Sequence, residues 1–150
     1  MKVSEWIAAN PGAAPTVTPD ASLAAIIEEL LRRPGTRDVY VVSEEGRVIG
    51  HLSHKRLIRS VLAEHHPWPT RRQLMEKVAG GPAREMMNSH FPTASPDEKL
   101  DNVLHRQFEH DIEDMVVVDS DGVLLGAVSL TAVLEALRDA NRRTRIRPSR

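Results

Sequence analysis

Hydrophobic positions along the chain change period in a fixed order, and the order occurs twice. Leu23, Ile26, Ile27, Leu30 and Leu31 keep the 3.6-residue period of a helix with one core face until Pro34-Gly35 stops it. Leu100, Val103, Leu104 and Phe108 predict the same helix further on. Each is followed by two short β-branched runs around an acidic turn with glycine, Glu44-Glu45-Gly46 and Ser120-Asp121-Gly122, which predicts a β-hairpin. Each second strand ends at a serine, Ser53 or Ser129, able to cap a further helix. Those helices carry Leu57, Ile58, Val61 and Leu62 in one case and Val133, Leu134 and Leu137 in the other. Upstream, Thr18 and Ser95 are N-cap types followed by proline, and Ser95 with Glu98 reads as a capping box, so the first helices are predicted to begin there.

The unit is therefore β-α-β-β-α, twice, an α+β chain. Asp38 to Ser53 aligns with Asp114 to Ser129 at an offset of 76 residues, and Pro15 to Leu23 aligns with Pro92 to Leu100 at 77, so one residue is lost in between. The expected division is a first repeat with its N-terminal segment over 1–66, a connector over 67–87, a second repeat over 88–141 and a basic tail over 142–150. His65 to Pro69 and Gly80-Gly81-Pro82 break the connector, leaving a helix over about 70–79 carrying Leu74, Met75 and Val78. Ala83 to Met87 reads as a short helix leading into the second copy, and Met1 to Ala13 as its match for the first.

Composition narrows the function. Hydrophobic residues at 41% and charged residues at 27% are those of a folded chain. The absence of cysteine excludes disulfides, thiolate zinc sites and a cysteine nucleophile. No apolar leader follows Met1 and no apolar run approaches the roughly 20 residues of a membrane span, so a cytoplasmic protein with no membrane insertion is expected. Arg142, Arg143, Arg145, Arg147 and Arg150 crowd the end of a chain whose formal net charge is −1. They read as a solvated terminus, and nucleic acid is not an expected partner. Seven histidines invite a metal, but His105 and His110 miss the i, i+4 spacing of one helical face, and His51 and His54 straddle a strand–helix junction. Nucleophile-elbow and glycine-rich phosphate-loop signatures do not occur, so an enzyme is not expected.

The twofold pattern of hydrophobic strand, acidic turn with glycine, strand ending in Gly-x-x-Ser, then helix resembles a tandem CBS-domain pair, the Bateman module. The resemblance implies two repeats packed about a pseudo-twofold axis, commonly as a homodimer. It also implies AMP, ADP, ATP or S-adenosylmethionine as a regulatory ligand between the repeats, with no cofactor required. On that likeness Thr16, Val17, Asp38 and Tyr40 would line the slot of the first copy, and Thr93, Ala94, Asp114 and Val116 that of the second. Tyr40 would stack on a base. Ser53 and Ser129 would sit beside free backbone N–H groups at a helix start, a natural phosphate or ribose position.

The chain departs from the family signature three residues after each serine. Arg56 and Ala132 stand where an aspartate would accept from the ribose hydroxyls. Arg56 instead offers a bidentate donor to phosphate, which favours the first copy as the anion site. The expected function is regulation of an unidentified partner protein by an adenine nucleotide; the alternative is a ligand-free dimerisation or scaffolding module.

Overall fold

In the computed structural model the described residues are 1–64 and 81–146; the predicted connector helix and the side chains of Val61 and Leu62 lie outside them. The chain runs α1 (Val3–Ala9), β1 (Thr16–Val17), α2 (Leu23–Leu31), β2 (Asp38–Val42), β3 (Val48–Ser53), α3 (His54–Glu64), α4 (Ala83–Met86), α5 (Leu100–His110), β4 (Asp114–Val118), β5 (Leu124–Ser129) and α6 (Leu130–Ile146). This is the predicted α+β repeat. The two hairpins match in detail: Gly46 and Gly122 turn at φ 82° and 83°, where only glycine is unstrained, and both ladders shift register at the same place, Val41/Val42 and Val117/Val118. β1 pairs in parallel with β2, whereas its counterpart in the second repeat shrinks to a single bridge between Ala94 and Val117.

A pseudo-twofold axis passes between the hairpin tips. Val48 N donates to Gly122 O and Leu124 N donates to Gly46 O, both at 3.0 Å. Around that seam Tyr40, Val116 and Ala14 are buried together, with Phe91, Val48 and Leu124 packed against them.

Each repeat has its own apolar core, completed by a helix from across the sequence. α1, grouped by sequence with the first repeat, places Val3 and Trp6 among Val103, Met115, Val117 and Val128 of the second. α4 places Ala83 and Met86 against Leu23, Ile26, Val39 and Leu52 of the first. The exchange is symmetric in its hydrogen bonds. Val3 N and Ser4 N donate to Glu98 O and Pro96 O, and Ala83 N and Arg84 N donate to Ala21 O and Pro19 O.

These bonds correct the predicted helix starts. Carbonyls at Pro19, Ala21, Pro96 and Glu98 are committed to capping α4 and α1, so they cannot accept i+4 bonds and the helices begin four residues later than Pro19 and Pro96. Thr18 and Ser95 head turns instead, and Ser22 is the true N-cap of α2, accepting from Ala25 N at 3.2 Å. Ser95 N still donates to the Glu98 carboxylate at 2.8 Å, so the predicted box survives as a turn clasp.

Two further expectations are corrected. Leu31 and Phe108, predicted on core faces, are 77% and 72% exposed. Beside Val103, the buried position on α5 is Gln107, whose amide donates to Glu113 O at 3.1 Å and Val128 O at 2.9 Å, fastening the helix end to the ends of β4 and β5. Arg142, Arg143 and Arg145, read as part of a solvated terminus, lie on α6, which continues to Ile146 and is exposed all along its last two turns.

Candidate functional site

A cleft of about 1030 Å³ opens between the repeats on the side of α3. Its floor is Asp38 and His51 on neighbouring strands, one wall is the start of α3, and the other is the chain from His110 to Ile112 after α5. Asn88 to Pro92 closes one end, held to the sheet by paired bonds between His51 and Asn88, 2.9 Å each way. Arg37, Lys55, Arg56 and Arg59 give the lining a cationic excess over Asp38, Glu85 and Asp111.

The start of α3 is built by Ser53, whose hydroxyl accepts from Arg56 N at 3.1 Å. That bond caps the helix and points its positive end, with the cationic side chains of the first turns, at the cleft. Arg56 also donates through Nε to Met86 O at 3.2 Å, which steadies the guanidinium against α4. His54 lines the same wall, and its Nδ1 is buried without a partner among the described residues.

Beneath the cleft lies a polar seam joining the repeats. Asp38, 1% exposed, accepts from His51 Nε2 at 2.8 Å through one oxygen. Through the other it accepts from Glu113 N at 2.9 Å and, more weakly, from Asp114 N at 3.4 Å. The Tyr40 hydroxyl donates to Asp114 O at 2.6 Å. Burial and the Asp38 charge together hold the Tyr40 pKa well above the usual phenol range. Asp114 is the pseudo-twofold mate of Asp38, but Ala127 stands at the position of His51. Burial first, and the nearby Asp38 carboxylate second, raise its pKa to about 6, against the Ser129 hydroxyl, which favours the ionised form.

Of the residues named from sequence, Asp38, Ser53 and Arg56 come together in the cleft. Tyr40 does not line it; it is wholly buried, its ring 5.1 Å from that of His51 and 6.0 Å from that of Phe91. Thr16 and Val17 form β1, and Ala94 is buried in its bridge between Val116 and Val118. Thr93 spends its carbonyl on Arg106, Val116 is in the seam core, and Ser129 caps α6 by accepting from Ala132 N at 3.3 Å. Sequence reasoning missed Arg37, His51, Lys55, Arg59, Phe91 and Asp111. The run His54-Lys55-Arg56 with Arg59 was a readable signal, four cation-forming residues in the first turns after a capping serine.

The sequence profile of the CBS domain matches residues 11–63 and 83–139, most of the chain and both repeats. The chain belongs to the CBS-domain family. Solved structures agree with this CBS pair in fold. A CBS domain-containing protein from Thermotoga maritima shares 25% identity with a TM-score of 0.70, covering 93% of this chain and 95% of its own. CBSX2 in complex with AMP shares 19% at a TM-score of 0.67, covering 93% and 98%. The cytosolic domain of the Mg²⁺ channel MgtE in complex with ATP shares 24% at a TM-score of 0.57 over 82% of this chain, which spans only 44% of that one. No curated protein matches the sequence.

Proposed function

We propose that this CBS pair is a regulatory module that binds an adenine nucleotide of the AMP, ADP or ATP class in the α3-side cleft and so modulates a partner protein. The observation that carries the reading is the concentration of Arg37, Lys55, Arg56 and Arg59 around a capped helix N-terminus in a cleft of nucleotide size. Structural relatives solved with AMP and with ATP support the ligand class. Lacking the ribose-binding aspartate, the cleft discriminates by phosphate, so ATP and ADP bind better than adenosine or S-adenosylmethionine.

The module works in the cytoplasm as a homodimer through helix faces, a reading supported by Ile58 on α3 and Leu134 and Leu137 on α6, all more than half exposed. A thermal scan at millimolar AMP, ADP, ATP and S-adenosylmethionine, with Arg56→Ala beside the parent, tests the ligand. Hundredfold excess over Kd stabilises by about 2.7 kcal/mol. Were no ligand to move the midpoint, the second reading, a ligand-free scaffold, would take its place; Arg56 and Ala132 at the aspartate positions favour it.

A further inference from the structure

Lys55 and Asp111 meet across the mouth of the cleft, Nζ to Oδ2 at 2.8 Å. Lys55 sits in the first turn of α3 in one repeat, and Asp111 caps the C-terminus of α5 in the other. Asp111 holds a left-handed conformation, φ 52° and ψ 48°, with its N–H donating to Gln107 O. The turn aims its carboxylate at three cation-forming groups, Lys55 foremost, then Arg37 and His54. That surrounding charge keeps Asp111 ionised, its pKa below the usual carboxylate range. The pair has no pseudo-twofold mate: Thr131 stands for Lys55, and Gly35, which shares the positive φ, stands for Asp111.

We propose that Asp111 is a built-in competitor for the anion: its carboxylate occupies Lys55 across the mouth of the cleft, and a ligand phosphate must displace it to reach that ammonium. The inference rests on the cleft being the ligand site, and it adds a selectivity element and a coupling. A monoanion gains little by replacing a carboxylate already in place, whereas a polyphosphate brings enough charge to outcompete it. Displacement removes a side-chain tie between α3 of one repeat and the α5 turn of the other, so occupancy is transmitted to the way the repeats meet.

Calorimetric titration of the full chain with ATP and with inorganic tripolyphosphate tests this on the parent, Asp111→Asn, Lys55→Gln and the double variant. Asparagine tolerates the left-handed turn, so the fold is kept. An exposed ion pair of this kind corresponds to roughly a two- to fivefold change, and Asp111→Asn should tighten both ligands by that much. In the Lys55→Gln background the same substitution should lose most of its effect. If the parent binds ATP and Asp111→Asn binds no tighter, the competitor is refuted and the nucleotide reading stands. If only tripolyphosphate binds, and Asp111→Asn tightens it, the competitor stands and the nucleotide reading fails. If neither anion binds any of the four proteins, both fall.

Discussion

The two repeats set the same carboxylate at the start of the same strand and treat it in opposite ways. Asp38 is held by His51 and by backbone N–H groups of the other repeat, so its charge is fully employed in joining the halves. Asp114 faces Ala127 instead of a histidine, and burial beside Asp38 makes its ionised form costly. A duplicated unit thus keeps its backbone while one side chain in each pair is free to specialise. Here the first copy holds the charged joint, and its cleft collects the cations.

The largest expected effect comes from substituting the two carboxylates. Asp38→Ala should destabilise by about 3 kcal/mol in urea unfolding, because it orphans Glu113 N and the His51 ring in a buried seam. Asp114→Asn should do the reverse at neutral pH. An acid whose pKa is raised from 3.8 to about 6 on folding contributes stability that is complete below 3.8 and lost as pH climbs through 6. A neutral asparagine escapes that loss, so the variant should gain about 1 to 2 kcal/mol over the parent at pH 8, after allowance for partial exposure, and nothing near pH 4. A gain independent of pH would show that the Asp114 charge is not its source.

Packing offers a smaller contrast at another matched pair. A Cβ on Gly50 would overlap the Met87 side chain down to its own Cβ, whereas on Gly126 it would meet Ile7 at 3.4 Å. Gly50→Ala should therefore cost about 2 kcal/mol and Gly126→Ala less than about 1 kcal/mol, since strand glycine is itself unfavourable. Equal losses would mean that Ile7 and Met87 press on their sheets alike.

Smallest is truncation after Asn141, which removes turns of α6 that are exposed throughout. The melting midpoint should move by less than about 0.5 kcal/mol equivalent, and a larger fall would mean the segment is docked on a second copy.

Much of this was legible because hairpins announce themselves locally: Gly46 and Gly122 with alternating apolar runs fix strands, turn and register within sixteen residues. Ser53 and Ser129 were likewise legible as caps. Helix starts were misread because the decisive acceptors, Pro19 O and Pro96 O, bond to residues far along the chain, and no local pattern records that commitment. Tyr40 looked like a stacking platform because an aromatic on a strand has two faces to choose from, and only the packing of the second repeat closes one of them. Asp111 escaped for a related reason. It lies in the loop where the second repeat is one residue shorter, and its cleft belongs mainly to the first.

The exchange of α1 and α4 between repeats also dictates an order of events during synthesis. α1 leaves the ribosome well ahead of the carbonyls that cap it, Pro96 O and Glu98 O, and further still ahead of the strands that bury Val3 and Trp6. A seven-residue helix cannot hold its shape alone in water. At about 5 to 20 residues per second the segment waits for several seconds as an unfolded strand carrying a tryptophan. The first repeat meanwhile lacks α4 until residue 86 emerges, so neither half is finished before most of the other exists. Two nascent chains side by side on one message each hold the piece the other is waiting for, and trading α1 between them would join two molecules by the same bonds that close one.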